Sequence, residues 1–402
     1  EFTNNKRFTA TYQGITVLDL DMEFLHNGLP QRILTAKWQR PSYPEPTIPE
    51  TRNWFSLFAK VMSHLNVCSK EPIIRLYDHG VQGTCALPPF AGVKEDGPND
   101  TAIITPLLGK PYGMIIAHGL NPVLNTIDPY QGSLWAATEA VSNAVAAGAN
   151  PKEMVLIDNF IWPFPDEDSL GALDRAVDAC VDFAKATGMP FVSGKDSLSS
   201  TYRGKDGTVI KIPPVLCISV FGRIPDVTRT VSADFKEPGN QIVLIGYRNT
   251  SEMAGSVYYD INGAVGQNLP VLKLDKLMNV FEAVHKAINS GKILTCHDIS
   301  EGGLGAALAE MCFGGALGSA ITIPSNERPE HFLFNETTGC FLAEIKPDTD
   351  LTEVFETIPY SIIGKTTSGG LLTAEQDGKT LFTLNLDELK EAWQRPMKEV
   401  FR

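Results

Sequence analysis

Seven cysteines are scattered through 402 residues, and no two of them form a C-x-x-C pair. That excludes a zinc ribbon or thioredoxin-type motif, and an odd count without framework spacing excludes a disulfide-built scaffold. The thiols are expected to be reduced and mostly buried. None lies in a G-x-C-x-G turn, the setting of a glutaminase nucleophile, and the seven histidines show no zinc-ligand spacing. No apolar run approaches the ~20 residues that cross a membrane. The opening Glu1-Phe2-Thr3-Asn4-Asn5-Lys6 lacks a signal peptide's charged-then-apolar layout. Basic residues are few and dispersed: 34 Lys and Arg stand against 47 Asp and Glu, a formal net charge of -13. Nucleic acid and an anionic membrane are therefore excluded as main partners. A phosphorylated small molecule, held by backbone amides, one or two cations and Mg²⁺, remains open. A cytoplasmic location is expected.

What is present is ordinary for a folded chain, with 43% apolar and 20% charged residues and room for two or three cores. Phe8–Tyr12 and Ile15–Leu18 read as short strands. Arg40 to Glu50 carries Pro41, Pro44, Pro46 and Pro49 and reads as a semi-rigid linker. Helical and strand patterns then alternate in two blocks, about residues 51–225 and 238–385, followed by an amphipathic helical tail over 386–402. The class is α+β, or mixed α/β.

Four segments carry chemistry. In the first, the apolar run Lys292–Cys296 leads into His297-Asp298-Ile299-Ser300-Glu301-Gly302-Gly303-Leu304, and strong helix formers follow. A carboxylate and a hydroxyl thus sit between a strand and a helix, where paired glycines leave N–H groups bare for phosphate and Asp298 offers a hard ligand to Mg²⁺. A plain Asp/Ser helix cap explains the same pattern. In the second, Glu139 and Asn143 lie four apart on an alanine-rich helix from Ser133, so they share a side. They form either a solvated stripe or, with Asp100 at the start of a strand and Asp298, an oxygen-ligand set. The third, Ser193-Gly194-Lys195-Asp196-Ser197, lacks Walker A spacing and reads as a polar turn. In the fourth, Tyr77–Gly83, His79 has no metal-type neighbour and reads as a structural histidine.

Taken in order, Tyr77-Asp78-His79-Gly80-Val81-Gln82-Gly83, Asp128-Pro129-Tyr130-Gln131-Gly132, Glu139-Ala140-Val141-Ser142-Asn143, Ser193–Ser197 and His297–Leu304 resemble one family. It is phosphoribosylformylglycinamidine synthase (formylglycinamide ribonucleotide amidotransferase), of the aminoimidazole ribonucleotide synthetase superfamily. The resemblance implies an N-terminal superfamily domain over 51–225 and a C-terminal one over 238–385, together the second half of a pseudo-dimeric synthetase core. Residues 1–50 would be the end of the preceding half and the linker. The Trp393-Gln394-Arg395-Pro396 region resembles the point where fused enzymes continue into a glutaminase domain.

The reaction implied is ATP-dependent amidation of formylglycinamide ribonucleotide, with ammonia from glutamine, by way of an iminophosphate. By the same resemblance Asp100, Glu139, Asn143 and Asp298 match Mg²⁺ ligands of an ATP/ADP site, and Asn99 and Ser300 match nucleotide contacts. Asp158, Gly194, Lys195 and Ser197 match the part that reaches into the catalytic site across the pseudo-dimer. Members with separate subunits carry Asn where Lys195 stands. The partners implied are the first half of the core and a glutaminase domain or subunit, with a homodimer as the alternative for a lone half. Two other readings stay open. One is a structural half with a degenerate nucleotide pocket. The other is a stand-alone superfamily kinase or synthetase, against which the Tyr77–Gly83 motif argues.

Overall fold

Two antiparallel-rich sheets form the body of the molecule, which is a computed structural model describing residues 1–76 and 80–401. Tyr77, Asp78 and His79 of the expected motif lie outside the described residues. The first sheet has six strands in the order Cys85–Leu87, Ala102–Ile104, Gly113–Gly119, Val215–Ile224, Met154–Ile161 and Phe191–Ser197. All neighbours are antiparallel except the last two, which are parallel. The second has seven: Ile293–Asp298, Phe341–Ile345, Gln241–Ile245, Tyr360–Thr367, Gly318–Thr322, Leu371–Gln376 and Lys379–Asn385.

Burial follows the period-two geometry of strands. In Val215–Ile224 every second residue is buried, so one face of the first sheet packs while the other stays open. Helices Pro129–Ala146 and Glu167–Thr187 fill the packed face. The first starts where Asp128 accepts from the Tyr130 N–H with Pro129 in the first turn, an arrangement that satisfies an orphan donor and presets the helix. The second opens with a capping box between Asp166 and Ser169. Phe341–Ile345, by contrast, is buried at every residue, because elements cover both faces.

The Pro129–Ala146 helix is enclosed nearly all round, which explains its small residues. It packs on the Gly113–Gly119 strand, on Ile293–Asp298 of the other sheet and on the helix Leu274–Asn289, so one apolar core runs through both blocks. The expected first block opens at residue 51, yet the helix Trp54–Met62 belongs with the second. Phe58 lies 5.1 Å from Phe334 and 5.4 Å from Phe382, ring centre to ring centre. The tail helix Leu386–Val400 joins the same cluster through buried Trp393, whose ring lies tilted against Phe313 at 5.5 Å. Sequence proximity misleads here, because the apolar face of Trp54–Met62 finds its partner more than 250 residues away.

The two expected short strands pair as a hairpin, Arg7–Tyr12 against Ile15–Asp21, with no buried residue. Residues 37–50, which include the proline-rich segment, have no regular secondary structure and are pinned to both blocks. The Lys37 N–H donates to the Glu167 carbonyl, Trp38 lies under the Arg175 guanidinium at 4.2 Å, and Arg328 donates to the Ile48 carbonyl. All seven cysteines are unpaired and five are buried. No helix is long and apolar enough to cross a membrane, among the described residues.

Candidate functional site

Asp298 ends the strand Ile293–Asp298, and Asp100 lies two residues before Ala102–Ile104 of the other sheet. Packing of the two blocks brings them together: the Asp298 N–H donates to Asp100 Oδ2 at 3.2 Å. His297 lies between them, with Nδ1 2.7 Å from Asp100 Oδ1 and 3.6 Å from Asp298 Oδ1. The angle at Nδ1 is too poor for a hydrogen bond, so the short contact is one of charge. One ligand-type atom from each of the three lies within 4.8 Å of the others. On its far side His297 Nε2 is 3.1 Å from Glu310, which also accepts from the indole of Trp393 at 3.1 Å.

Glu139 and Asn143 enter from the Pro129–Ala146 helix. Glu139 is only 8% exposed, so the solvated-stripe reading fails for it. Its Oε2 accepts from the Leu120 N–H at 2.9 Å. Asn143 is half-buried and its amide N–H donates to the His118 carbonyl at 3.0 Å, which leaves its Oδ1, a hard oxygen, uncommitted. Neither belongs to the tight Asp100–His297–Asp298 group, but charge ties Glu139 to it. Burial, then Glu301 and Asp298, hold the Glu139 carboxyl well above its ordinary range. Burial likewise raises Asp298 and Glu301. Burial alone would depress His297, but Asp100, Asp298 and Glu310 together drive it well above the usual imidazole range.

Around the turn the sequence reading needs correction. Asp298 and Ser300 do not cap the helix Gly303–Gly315; its first flanking residue is Gly302, at φ +84°, with no side-chain cap. Nor are the glycine amides bare. The Gly302 N–H donates to Glu336 at 2.8 Å and the Gly303 N–H to the Ser300 carbonyl at 3.0 Å. Gly303 is required for close approach: at φ +66°, a Cβ there would come within 2.8 Å of the Leu333 and Asn335 carbonyl oxygens. Asn99 also spends its amide on the protein, accepting from Ala233 at 3.0 Å and donating to Pro88 at 2.7 Å. Ser300 is half-buried beside Asp298.

Asp158, Gly194, Lys195 and Ser197 meet at the edge of the six-stranded sheet, and Gly194–Ser197 is strand rather than turn. Asp158 pairs in register with Gly194, where a Cβ would fall 2.5 Å from its carboxylate. Strand alternation separates the set. Asp158 lines up with fully buried Ile218 on the helix-covered face, whereas Lys195 pairs with Asn159 and Ser197 with Ile161 on the open one. Lys195 Nζ donates to Ser197 Oγ at 2.6 Å. Burial and then Asp196 raise the Asp158 carboxyl. Among the described residues, no hydrogen bond or ion pair links this edge to the acid group.

The acid group has the chemistry of a hard-cation site. Asp298 Oδ2 is buried with no hydrogen-bond partner, and His297 is the cationic group set against the Asp100, Asp298 and Glu310 carboxylates. A buried anionic oxygen in that state is costly, and oxygen-rich sets of this kind suit Mg²⁺. Sequence reasoning missed His297, Glu301, Glu310 and Glu336. Nothing local in the sequence couples His297 to Asp100, 197 positions away.

Two family profiles match the chain: the AIR synthase related protein N-terminal domain over residues 100–224 and its C-terminal domain over 237–376. The chain belongs to the AIR synthase related family. Among curated relatives, the phosphoribosylformylglycinamidine synthase subunit PurL of Thermoplasma volcanium is 33% identical over 395 residues, covering 97% of this chain and 50% of that protein. PurL of Thermoplasma acidophilum is 31% identical over 400 residues, 98% of this chain and 51% of that one. The chain therefore spans about half the length of the curated relatives it matches. Among solved structures, T. maritima PurL complexed with FGAR superposes with a TM-score of 0.67 at 16% identity, covering 84% of this chain and 53% of that one. A chain of a HypE–HypF complex gives 0.53 at 19% identity, over 71% of this chain and 92% of the other. At these identities the superpositions establish the fold alone.

Proposed function

We propose that this chain is one half of a phosphoribosylformylglycinamidine synthase core, the second half by its motifs, acting in purine biosynthesis. It would bind ATP or ADP with Mg²⁺ at Asp100, Glu139, Asn143 and Asp298. The observation that carries the reading is the partnerless, buried Asp298 Oδ2 within a carboxylate group assembled from both sheets and the helix between them. Mg²⁺ would supply charge neutralisation for a polyphosphate there. The chain's own residues do the rest. His297, braced by Glu310, holds Asp100 in place. Leu120 fixes one Glu139 oxygen so that the other is presented, and His118 orients the Asn143 amide with its oxygen outward.

The substrate supported is formylglycinamide ribonucleotide, since the relatives carry the synthase name and one PurL structure holds FGAR. The open face of the six-stranded sheet, where Tyr112, Met114, Val155 and Phe221 line an apolar hollow, suits the first half of the core or a second copy of the chain. Ser197 and Lys195 stand on that face, in the position of residues that complete a site across the interface. Asp158 lies behind them and would act by shaping the Gly194 strand. A glutaminase domain or subunit would supply ammonia.

The second reading, a scaffolding half, follows from the His297 imidazole, which already gives Asp100 a positive neighbour. One experiment separates the two. The chain is mixed with a separately expressed first half, ammonia, ATP and substrate, and turnover is compared for wild type, Ser197→Ala and Asp158→Asn. Turnover sensitive to both substitutions supports a catalytic contribution. Assembly with turnover indifferent to both leaves the scaffold.

A further inference from the structure

The Thr337-Thr338-Gly339 segment lines a pocket of about 200 Å³, walled also by Tyr247, Arg248 and Lys273. Among the described residues, no carboxylate bonds to Arg248 there. Its Nη2 donates to the Phe332 carbonyl at 2.9 Å and the Asn335 carbonyl at 3.3 Å, but Nε and Nη1 are shut away from solvent without an acceptor. The carboxylate that acts on it through space, Glu327, is already bonded to Thr250. The one carboxylate in the lining, Glu252, is also committed, one oxygen to Asn249 at 2.9 Å and the other to the Val271 N–H at 2.9 Å. On the same wall, the Thr338 hydroxyl is buried and unpartnered.

Further positive charge converges on the pocket. Lys273 and Lys276 hold their ammonium groups 5.3 and 4.9 Å from the centre of the Tyr247 ring. The 16-residue helix Leu274–Asn289 begins at Lys273 with no side-chain cap, so its first N–H groups and the positive end of its dipole add to the field. Arg248, Lys273 and Lys276 against the single Glu252 carboxylate leave the pocket net positive, which is unexpected in a chain of net charge -13. An oxyanion would supply both the missing acceptor and the missing charge.

We propose that this pocket binds the phosphate group of a small phosphate monoester, at a site separate from the acid group. At about 200 Å³ it is smaller than the roughly 300 Å³ at which pockets for drug-sized ligands begin, which suits a phosphate with a short carbon skeleton against Leu277, Val280 and the Tyr247 ring. The inference does not depend on Mg²⁺ binding at Asp298.

The test is calorimetric titration of the full chain with inorganic phosphate and with ribose 5-phosphate, both in EDTA. Saturable binding is expected, tighter for the ester. The double variant Lys273→Ala/Lys276→Ala should weaken it roughly tenfold, the scale of one charge-assisted contact. Those side chains are exposed or half-exposed, so folding is retained. Arg248→Met should abolish binding, with the melting temperature reporting whether the Phe332 and Asn335 carbonyls it ties are still held. Asp298→Asn should leave binding unchanged. No saturable binding overturns the proposal, as does binding lost in Asp298→Asn but kept in the lysine variant. Binding of inorganic phosphate with the ester excluded overturns the monoester assignment.

Discussion

Replacing Asp298 with Asn should raise the stability of the ligand-free chain and remove its response to Mg²⁺ and ADP. The first sign follows from the environment. Burial, and then the charge of Asp100 against the relief from His297, lift the Asp298 carboxyl from 3.8 to about 6, so its charged form is the costly one in the fold. At pH 7 the neutral amide relieves up to about 3 kcal/mol, at roughly 1.4 kcal/mol per pKa unit. Because an acid with a raised folded pKa loses stability as pH rises between its two values, the gain should fade below about pH 4. The second sign follows from ligation. A ligand at a hundredfold its Kd stabilises the wild type by about 2.7 kcal/mol. At roughly 2 °C per kcal/mol for a chain of this size, the variant should melt up to about 6 °C higher without ligand, while the wild type gains about 5 °C from Mg²⁺ and ADP. Scanning fluorimetry with Mg²⁺, ADP, both, and EDTA reads all four states. A variant that keeps the ligand shift, or that melts lower without ligand, would refute the site.

Gly194→Ala should abolish turnover in the reconstituted enzyme with little change in melting temperature. The new Cβ would fall 2.5 Å from the Asp158 carboxylate, on an edge strand whose residues are largely exposed. Trp393→Phe should cost about 1–3 kcal/mol in urea unfolding, since it orphans the buried Val67 carbonyl and a Glu310 oxygen. An unchanged midpoint would show that the tail helix is not anchored there. Asp166→Ala should cost about 1 kcal/mol at pH 7 by removing the cap of the Glu167–Thr187 helix. Lys211, then the Ser169 N–H, hold the Asp166 carboxyl down at about 2, so this stabilisation is present above pH 3.8 and is lost as pH falls through about 2. Thermal melts across pH 2–7 would converge for the two proteins at the acid end.

Element type was legible because periodicity and capping are local. The strand Val215–Ile224 alternates buried and open residues along its own length, and the helix Glu167–Thr187 opens on its own Asp166–Ser169 box. The ordered motifs were enough to identify the family, since spacing survives where identity falls. Local reasoning went wrong where a residue's partner is distant in sequence. Gly194–Ser197 looks like a turn by composition, but the Met154–Ile161 strand supplies its ladder. Asp298 looks like a helix cap, but the helix begins five residues later, with the Gly302 amide claimed by Glu336.

By itself the sequence determined which groups were available: acids at strand ends, small residues on the central helix, scattered thiols and no basic patch. Only the tertiary structure decided which of them meet. Docking of two sheets against the Pro129–Ala146 helix sets Asp100 against Asp298 and inserts His297 between them. Strand register puts Asp158 and Ser197 on opposite faces. Closure of the second core leaves Arg248 Nε and Nη1 buried without an acceptor. The physical reason is common to all three. A side chain's direction is fixed by its neighbours in sequence, but its solvation and its charge partners are fixed by whatever packs across from it.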